Sequence, residues 1–99
     1  MQHIAILRLK PTATEADQAQ LRTAEVTKVW EMLVADSLRS IHFFSGSGRG
    51  AVLHIEANDA KEAGTLVRQL PMVAAGLLEP EILSLAPFTG FQALFSPKS

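Results

Sequence analysis

Cysteine is absent from this 99-residue chain. That excludes disulfides, thiolate nucleophiles and cysteine-ligated metals. An excess of either charge is also missing. The formal net charge is -1 and no basic run occurs, so neither nucleic acid nor an anionic membrane surface is an expected partner. No apolar run approaches the roughly 20 residues of a membrane helix. The apolar segment at 3–9 is too short for a signal peptide and carries Arg8, which makes the cytoplasm the expected compartment. Neither a His-Glu-x-x-His nor a Gly-x-Ser-x-Gly motif occurs. The glycine-dense segment Ser45-Gly46-Ser47-Gly48-Arg49-Gly50 opens a strand, whereas a phosphate-binding loop opens a helix. No nucleotide site is expected.

What the chain does contain suits one globular domain over residues 1–99. Hydrophobic residues make up 47% and charged residues 19%, enough apolar material for a core. A domain of this size buries only about two thirds of its unfolded surface, so oligomerisation would add stability. Residues 3–9 read as a central strand, apolar on both faces. Thr12-Ala13-Thr14-Glu15 fits a capping box ahead of a helix over 14–36. On that helix Leu21, Val26, Val29, Trp30, Leu33 and Val34 form one apolar stripe. Strands over 38–44 and 51–57 flank the glycine-rich hairpin. Asn58 or Asp59 caps a second helix running to 69, which Pro71 stops, and a fourth strand covers 81–86.

The order strand, helix, strand, strand, helix, strand predicts an α+β, ferredoxin-like βαββαβ fold with a four-stranded antiparallel sheet. Its helices cover one face only. Alternation along the strands leaves the other face too apolar for water, so two sheets stacked face to face in a homodimer would form a barrel. Phe91, Leu94 and Phe95 lie beyond the last strand, and an apolar tail over 89–95 is expected to pack on the partner copy.

Two segments carry a family resemblance. Leu70-Pro71-Met72 followed by Ile82-Leu83-Ser84-Leu85-Ala86-Pro87 resembles the C-terminal half of muconolactone isomerase-like proteins. Gly50-Ala51-Val52-Leu53-His54-Ile55-Glu56-Ala57-Asn58-Asp59 resembles their third strand running into the second helix. The whole chain is similar to small bacterial proteins of the dimeric α+β barrel group, which also includes cofactor-free monooxygenases. The resemblance implies proton transfer on a small unsaturated lactone with no metal and no cofactor. Catalytic residues are not carried over, because Arg39-Ser40-Ile41-His42-Phe43-Phe44 departs from the enzyme's pattern.

The chemistry-bearing candidates are few. His54 and Glu56 lie two apart on one strand face, about 7 Å apart at their bases. A carboxylate beside an imidazole orients it for proton transfer; the same pair also reads as a polar pair at the sheet rim or dimer seam. His42, on the antiparallel neighbour, could join them in a facial metal set, though nothing in the spacing requires one and no metal is expected. Arg8 and Arg39 are strand arginines that would hold a ligand carboxylate. Arg8 could equally pair with Glu56, and Arg39 could simply face solvent. Trp30 would wall a substrate pocket or sit in the core or the dimer surface.

Two functional readings follow. One is a cofactor-independent enzyme of isomerase type on a small apolar or carboxylated metabolite, with His54 and Glu56 moving the proton and Arg8, Arg39, His42 and Trp30 binding substrate. The other is a non-catalytic ligand-binding or assembly module. In both, the chain's first partner is itself, as a homodimer or higher homo-oligomer.

Overall fold

A computed structural model describes residues 1–95. It comprises β1 (Gln2–Leu9), α1 (Glu15–Val34), β2 (Leu38–Phe43), β3 (Gly50–Glu56), α2 (Ala60–Arg68), α3 (Pro71–Ala74) and β4 (Leu78–Ser84), followed by a 3-10 turn over Gly90–Leu94. The four strands form one antiparallel sheet in the order β2-β3-β1-β4. This is the ferredoxin-like α+β arrangement expected from the element order.

β1 is the spine of the sheet. Leu9 N–H donates to Arg49 and Ala57 N–H to Met1, whereas Lys10 N–H donates to Leu77 and Leu85 N–H to Gln2. With the register of seven paired positions on each side, odd-numbered residues of β1 bond β3 and even-numbered residues bond β4. Alternation then sends His3, Ala5 and Leu7 toward the helices, and all three are buried. Ala51, Leu53 and Ile55 of β3 join them, with Met32 of α1 and Val67 and Leu70 of the α2–α3 segment closing the core. The assignment of Ala51, Leu53 and Ile55 to the helix side is as the pattern predicts.

Several boundaries differ from expectation for identifiable reasons. The capping box forms two residues later than the one read from Thr12 and Glu15. Thr14 Oγ1 accepts from Asp17 N–H at 3.0 Å and Asp17 Oδ2 accepts from Thr14 N–H at 3.2 Å, leaving Glu15 as the first helical residue. Pro71 begins a helical turn rather than only ending one. It occupies the first turn of α3, where its missing N–H costs nothing. β4 starts at Leu78 and passes through Pro80. The register turns Pro80 nitrogen away from β1, toward the free edge, so no ladder bond is lost. A bulge between Leu38 and Ser40 puts Leu38 and Ile41 on the same face, whereas simple alternation separates them.

Two helix ends close with the same geometry. After α1, Ser37 N–H reaches Met32 carbonyl and Asp36 N–H reaches Leu33 carbonyl; after α3, Leu77 reaches Met72 and Gly76 reaches Val73. Both are Schellman motifs, with the left-handed position filled by Gly76 at φ 79 and, less commonly, by Asp36 at φ 61.

His3 is fully buried. Its Nδ1 lies 2.9 Å from Ser84 Oγ and its Nε2 3.3 Å from Ala57 carbonyl. The carbonyl can only accept, so Nε2 carries the hydrogen and Nδ1 accepts from the serine hydroxyl. This one ring links β1, β4 and the connection from β3 to α2. Replacing His3 by Ala should cost about 2–4 kcal/mol, from the void and the orphaned carbonyl together. Ser84→Ala should cost only about 1 kcal/mol. Equilibrium denaturation of the two variants provides the check, and equal midpoints would remove His3 from this role.

Candidate functional site

The helix-facing layer is not uniformly filled. At the end of the sheet that carries the β2–β3 hairpin, β3 offers only the small side chain of Ala51 beneath α1, beside Gly50. A cavity of about 410 Å³ opens there, within the range of small-molecule sites. Leu7 and Leu9 of β1, Ile41 and Phe43 of β2, and Leu78 of β4 form the sheet side, and Leu70 and Met72 the α3 side. The α1 wall is contributed by Gln18, Arg22, Glu25, Val26 and Val29, residues three and four apart that share one flank of a helix. Gly50 is required at this place: a Cβ there would run into Leu7 carbonyl oxygen and the ring of Phe44.

Glu25 is the central chemical feature of this cavity. It is half-buried on α1, and its Oε1 accepts from Met72 N–H at 2.9 Å. The second carboxylate oxygen is engaged by no other described residue. Burial pushes the Glu25 carboxyl above its ordinary range, only partly offset by the Met72 hydrogen bond. Arg22 and Arg49 stand at the rim and share Glu15, with Arg22 at 2.8 Å and Arg49 at 4.0 Å from its carboxylate. The Arg22 hydrogen bond and charge hold the exposed Glu15 carboxyl below its ordinary range. An apolar chamber thus contains one acid biased toward its neutral form and two cations at the entrance. Such a set can move a proton and hold an anion.

The residues nominated from sequence are distributed differently. His42 adjoins this cavity between Ile41 and Phe43, but its register with Val52 sets it on the open face rather than the chamber side of β2. His54 and Glu56 lie on the opposite, helix-free face of β3, as their register with Ile4 and Gln2 requires. His54 Nε2–H donates to Gln2 Oε1 at 3.0 Å. Glu56 Oε1 meets the Met1 ammonium at 3.3 Å, and its Oε2 is buried with no partner among the described residues. Arg8 pairs with Glu81 at 2.7 Å rather than with Glu56, because the register places Arg8 opposite Gly50, at the far end of β1 from Gln2 and Glu56. Arg39 is exposed at the bulge. Trp30 is 65% exposed, one helical turn beyond Val26. His42 and His54 share the open face but are not opposite one another, since His42 faces Val52 and Ser40 faces His54. Among the described residues no three potential metal ligands converge.

Glu25 was not singled out from sequence. A signal existed: an acid at 25 interrupts the run Leu21, Val29, Leu33 on the buried flank of α1, where a charged residue is unusual.

The arrangement has structural counterparts. The chain matches no protein-family model, nor any of the curated proteins compared with it. Among solved structures, it superposes on the 5-chloro-2-hydroxyhydroquinone dehydrochlorinase TftG from Burkholderia phenoliruptrix AC1100, in complex with 2,5-dihydroxybenzoquinone. The TM-score is 0.72 at 15% identity, covering 91% of this chain and 98% of that one. Muconolactone isomerase superposes with a TM-score of 0.71 at 13% identity, covering 90% of this chain and 92% of that one. The chain has the muconolactone isomerase-like fold. At these identities the likeness is one of fold, and the site has to be read from its own residues.

The Glu25 environment generates a stability prediction. A carboxyl raised on folding favours the protonated native state, so its contribution is fully present below the unfolded-state pKa and is lost as pH rises through the folded value. Glu25→Gln keeps an acceptor for Met72 N–H and removes the charge. The variant should match or exceed the parent in denaturation midpoint at neutral pH, with the difference vanishing in acid below the ordinary carboxyl range. A difference that grows toward low pH would contradict the burial of this group.

Proposed function

We propose that the chain is a small-molecule enzyme that works by proton transfer, without a cofactor, inside the cavity under α1. The observation that carries this reading is Glu25: a carboxyl raised by burial, with one oxygen held by a backbone N–H and the other without a partner among the described residues, in a mostly apolar chamber. As the carboxylate, it takes a proton from a carbon next to a carbonyl. The pair of electrons left behind passes to the carbonyl oxygen as an enolate, and Arg22 or Arg49 stabilises that negative oxygen. Returning the proton from Glu25 to a different carbon of the same system completes an isomerisation, with nothing gained or lost. The matching substrate is compact and largely apolar, with an acidic or carboxylated oxygen group to meet the arginines. The fold shared with an isomerase and with a dehydrochlorinase holding a dihydroxybenzoquinone supports a ring-sized ligand of this kind.

A second reading rests on the open sheet face. Ile4, Ile6, Val52 and Leu83 share that face by register, and the unpartnered Glu56 Oε2 lies beside them. A second copy stacked on it would cover the apolar side chains and offer Glu56 a donor. His54, Glu56 and Arg8 would then serve assembly.

Muconolactone turnover and 2,5-dihydroxybenzoquinone binding separate these readings. With either compound accepted, Glu25→Gln should lower turnover about 100-fold or more, the usual scale for loss of a general acid–base group, while leaving binding largely intact. His54→Ala should leave both unchanged. Loss of turnover in His54→Ala with full activity in Glu25→Gln would move the chemistry to the sheet face. Failure of both compounds to bind would favour the assembly reading.

A further inference from the structure

Two polar side chains are buried among the described residues, His3 and Gln18, and Gln18 is 6% exposed. They differ in how fully they are bonded. His3 has a partner at each ring nitrogen. Gln18 has one bond, from its Nε2 to the Thr14 carbonyl at 3.2 Å. A carbonyl can only accept, so this bond fixes which end of the amide is nitrogen and leaves Oε1 as a spare acceptor. Oε1 has no partner among the described residues, yet it is not sealed in. The one enclosed side-chain atom without a bond there is Glu56 Oε2. The open space beside Gln18 is the cavity that it lines.

Folding does not need an amide at this position. The Thr14 carbonyl already accepts from Gln18 backbone N–H at 3.1 Å, so the side chain relieves no orphan group. An unbranched apolar residue would fill the same space without burying an amide whose acceptor goes unpaired. That cost is recovered where a ligand brings the missing donor. Gln18 is also in line with the chemistry. Gln18, Arg22 and Glu25 follow one another at four and three residues along one flank of α1. Gln18 and Glu25 lie about 10 Å apart along the axis, with Arg22 between them. A six-membered ring with a hydrogen bond at either end spans a similar length. The three positions offer different things: Gln18 Oε1 takes a hydrogen, Arg22 gives them, and Glu25 exchanges a proton.

We infer that Gln18 sets the specificity of the chamber, and that the substrate is a ring compound whose hydroxyl donates to Gln18 Oε1 while its acidic oxygen meets Arg22 and Arg49. The inference rests on the Glu25 chamber as the ligand site and adds the class of ligand. An ether, a ketone or a bare ring edge presents no hydrogen there. Each leaves Oε1 unpaired in a desolvated place, which is how a polar site rejects the wrong analogue. Gln18 touches no reacting atom, so its loss changes which ligand is held and not the proton step.

Calorimetric titration of the full chain with benzoate, 3- and 4-hydroxybenzoate and the two matching methoxybenzoates reads this directly. At neutral pH each is an anion for the arginines, and they differ in what they offer Gln18. One hydroxybenzoate should bind about tenfold more tightly than benzoate and than its own methoxy ether, the scale of one buried hydrogen bond. Gln18→Met should erase that preference and leave benzoate affinity unchanged. Its denaturation midpoint should equal or exceed the parent's; an amide kept for folding would instead lower the midpoint and leave the preference in place. Should this variant fail to fold, Gln18→Ala asks the same question with no long side chain to misplace. Equal binding of hydroxy and methoxy probes by the parent would overturn the inference, as would a preference that survives the loss of Gln18. Binding of none of the probes would overturn it together with the anion-holding entrance. Turnover is read nowhere in this experiment, so the proton-transfer role of Glu25 stands or falls separately. An enzyme that depends on Glu25 yet ignores the hydroxyl would sink Gln18 alone.

Discussion

The antiparallel clamp on β1 is the constraint on which the rest depends. Because odd residues bond β3 and even residues bond β4, β1 has no freedom to slip by one position without turning His3, Ala5 and Leu7 out of the core. Everything above the sheet takes its place from that register. Leu53, Ile55 and Leu38 fill one end beneath Met32, and His3 fastens the same end through Ser84 and Ala57. At the other end the same register brings Ala51 under α1 beside Gly50, and the space left there becomes the cavity. The packed end gives stability, and the underfilled end is free for chemistry.

Glu25 joins these two regimes. Its bond to Met72 N–H ties α1 to the α3 turn, so the group proposed to move a proton also sets the depth of the chamber. The α3 turn is in turn fixed by Pro71 at its start and Gly76 at its end. Arg22 and Arg49 stay outside the chamber, where water screens them. The chamber itself keeps a low dielectric that raises the Glu25 carboxyl, while the entrance stays attractive to anions.

The fold was legible because hydrophobic period and turn residues agree along most of the chain. The alternation of 51–57, the cap at Asp59 and the glycine-rich hairpin each specify one local structure. Boundaries failed where two chemistries competed for one segment. Thr12 and Thr14 both offer a cap, and the box closes on Asp17. Pro80 reads as a strand breaker until the strand is known to be an edge. The site was much less legible. His54 and Glu56 attract notice because an imidazole and a carboxylate alternate with apolar neighbours, and they sit on the face away from the cavity. Glu25 shows in sequence only as an acid interrupting the run Leu21, Val29, Leu33. Its environment is created by residues from β1, β2 and α3, none of which is near it in the chain.

The edge proline has a consequence for how this protein can associate. Pro80 nitrogen points outward from β4, so the free edge lacks a donor at its midpoint and cannot template an incoming strand there. Growth of the sheet from chain to chain, the route to fibres, is interrupted on that side. Along that edge copies are left to meet through side chains, a mode of contact that closed symmetry can bring to an end.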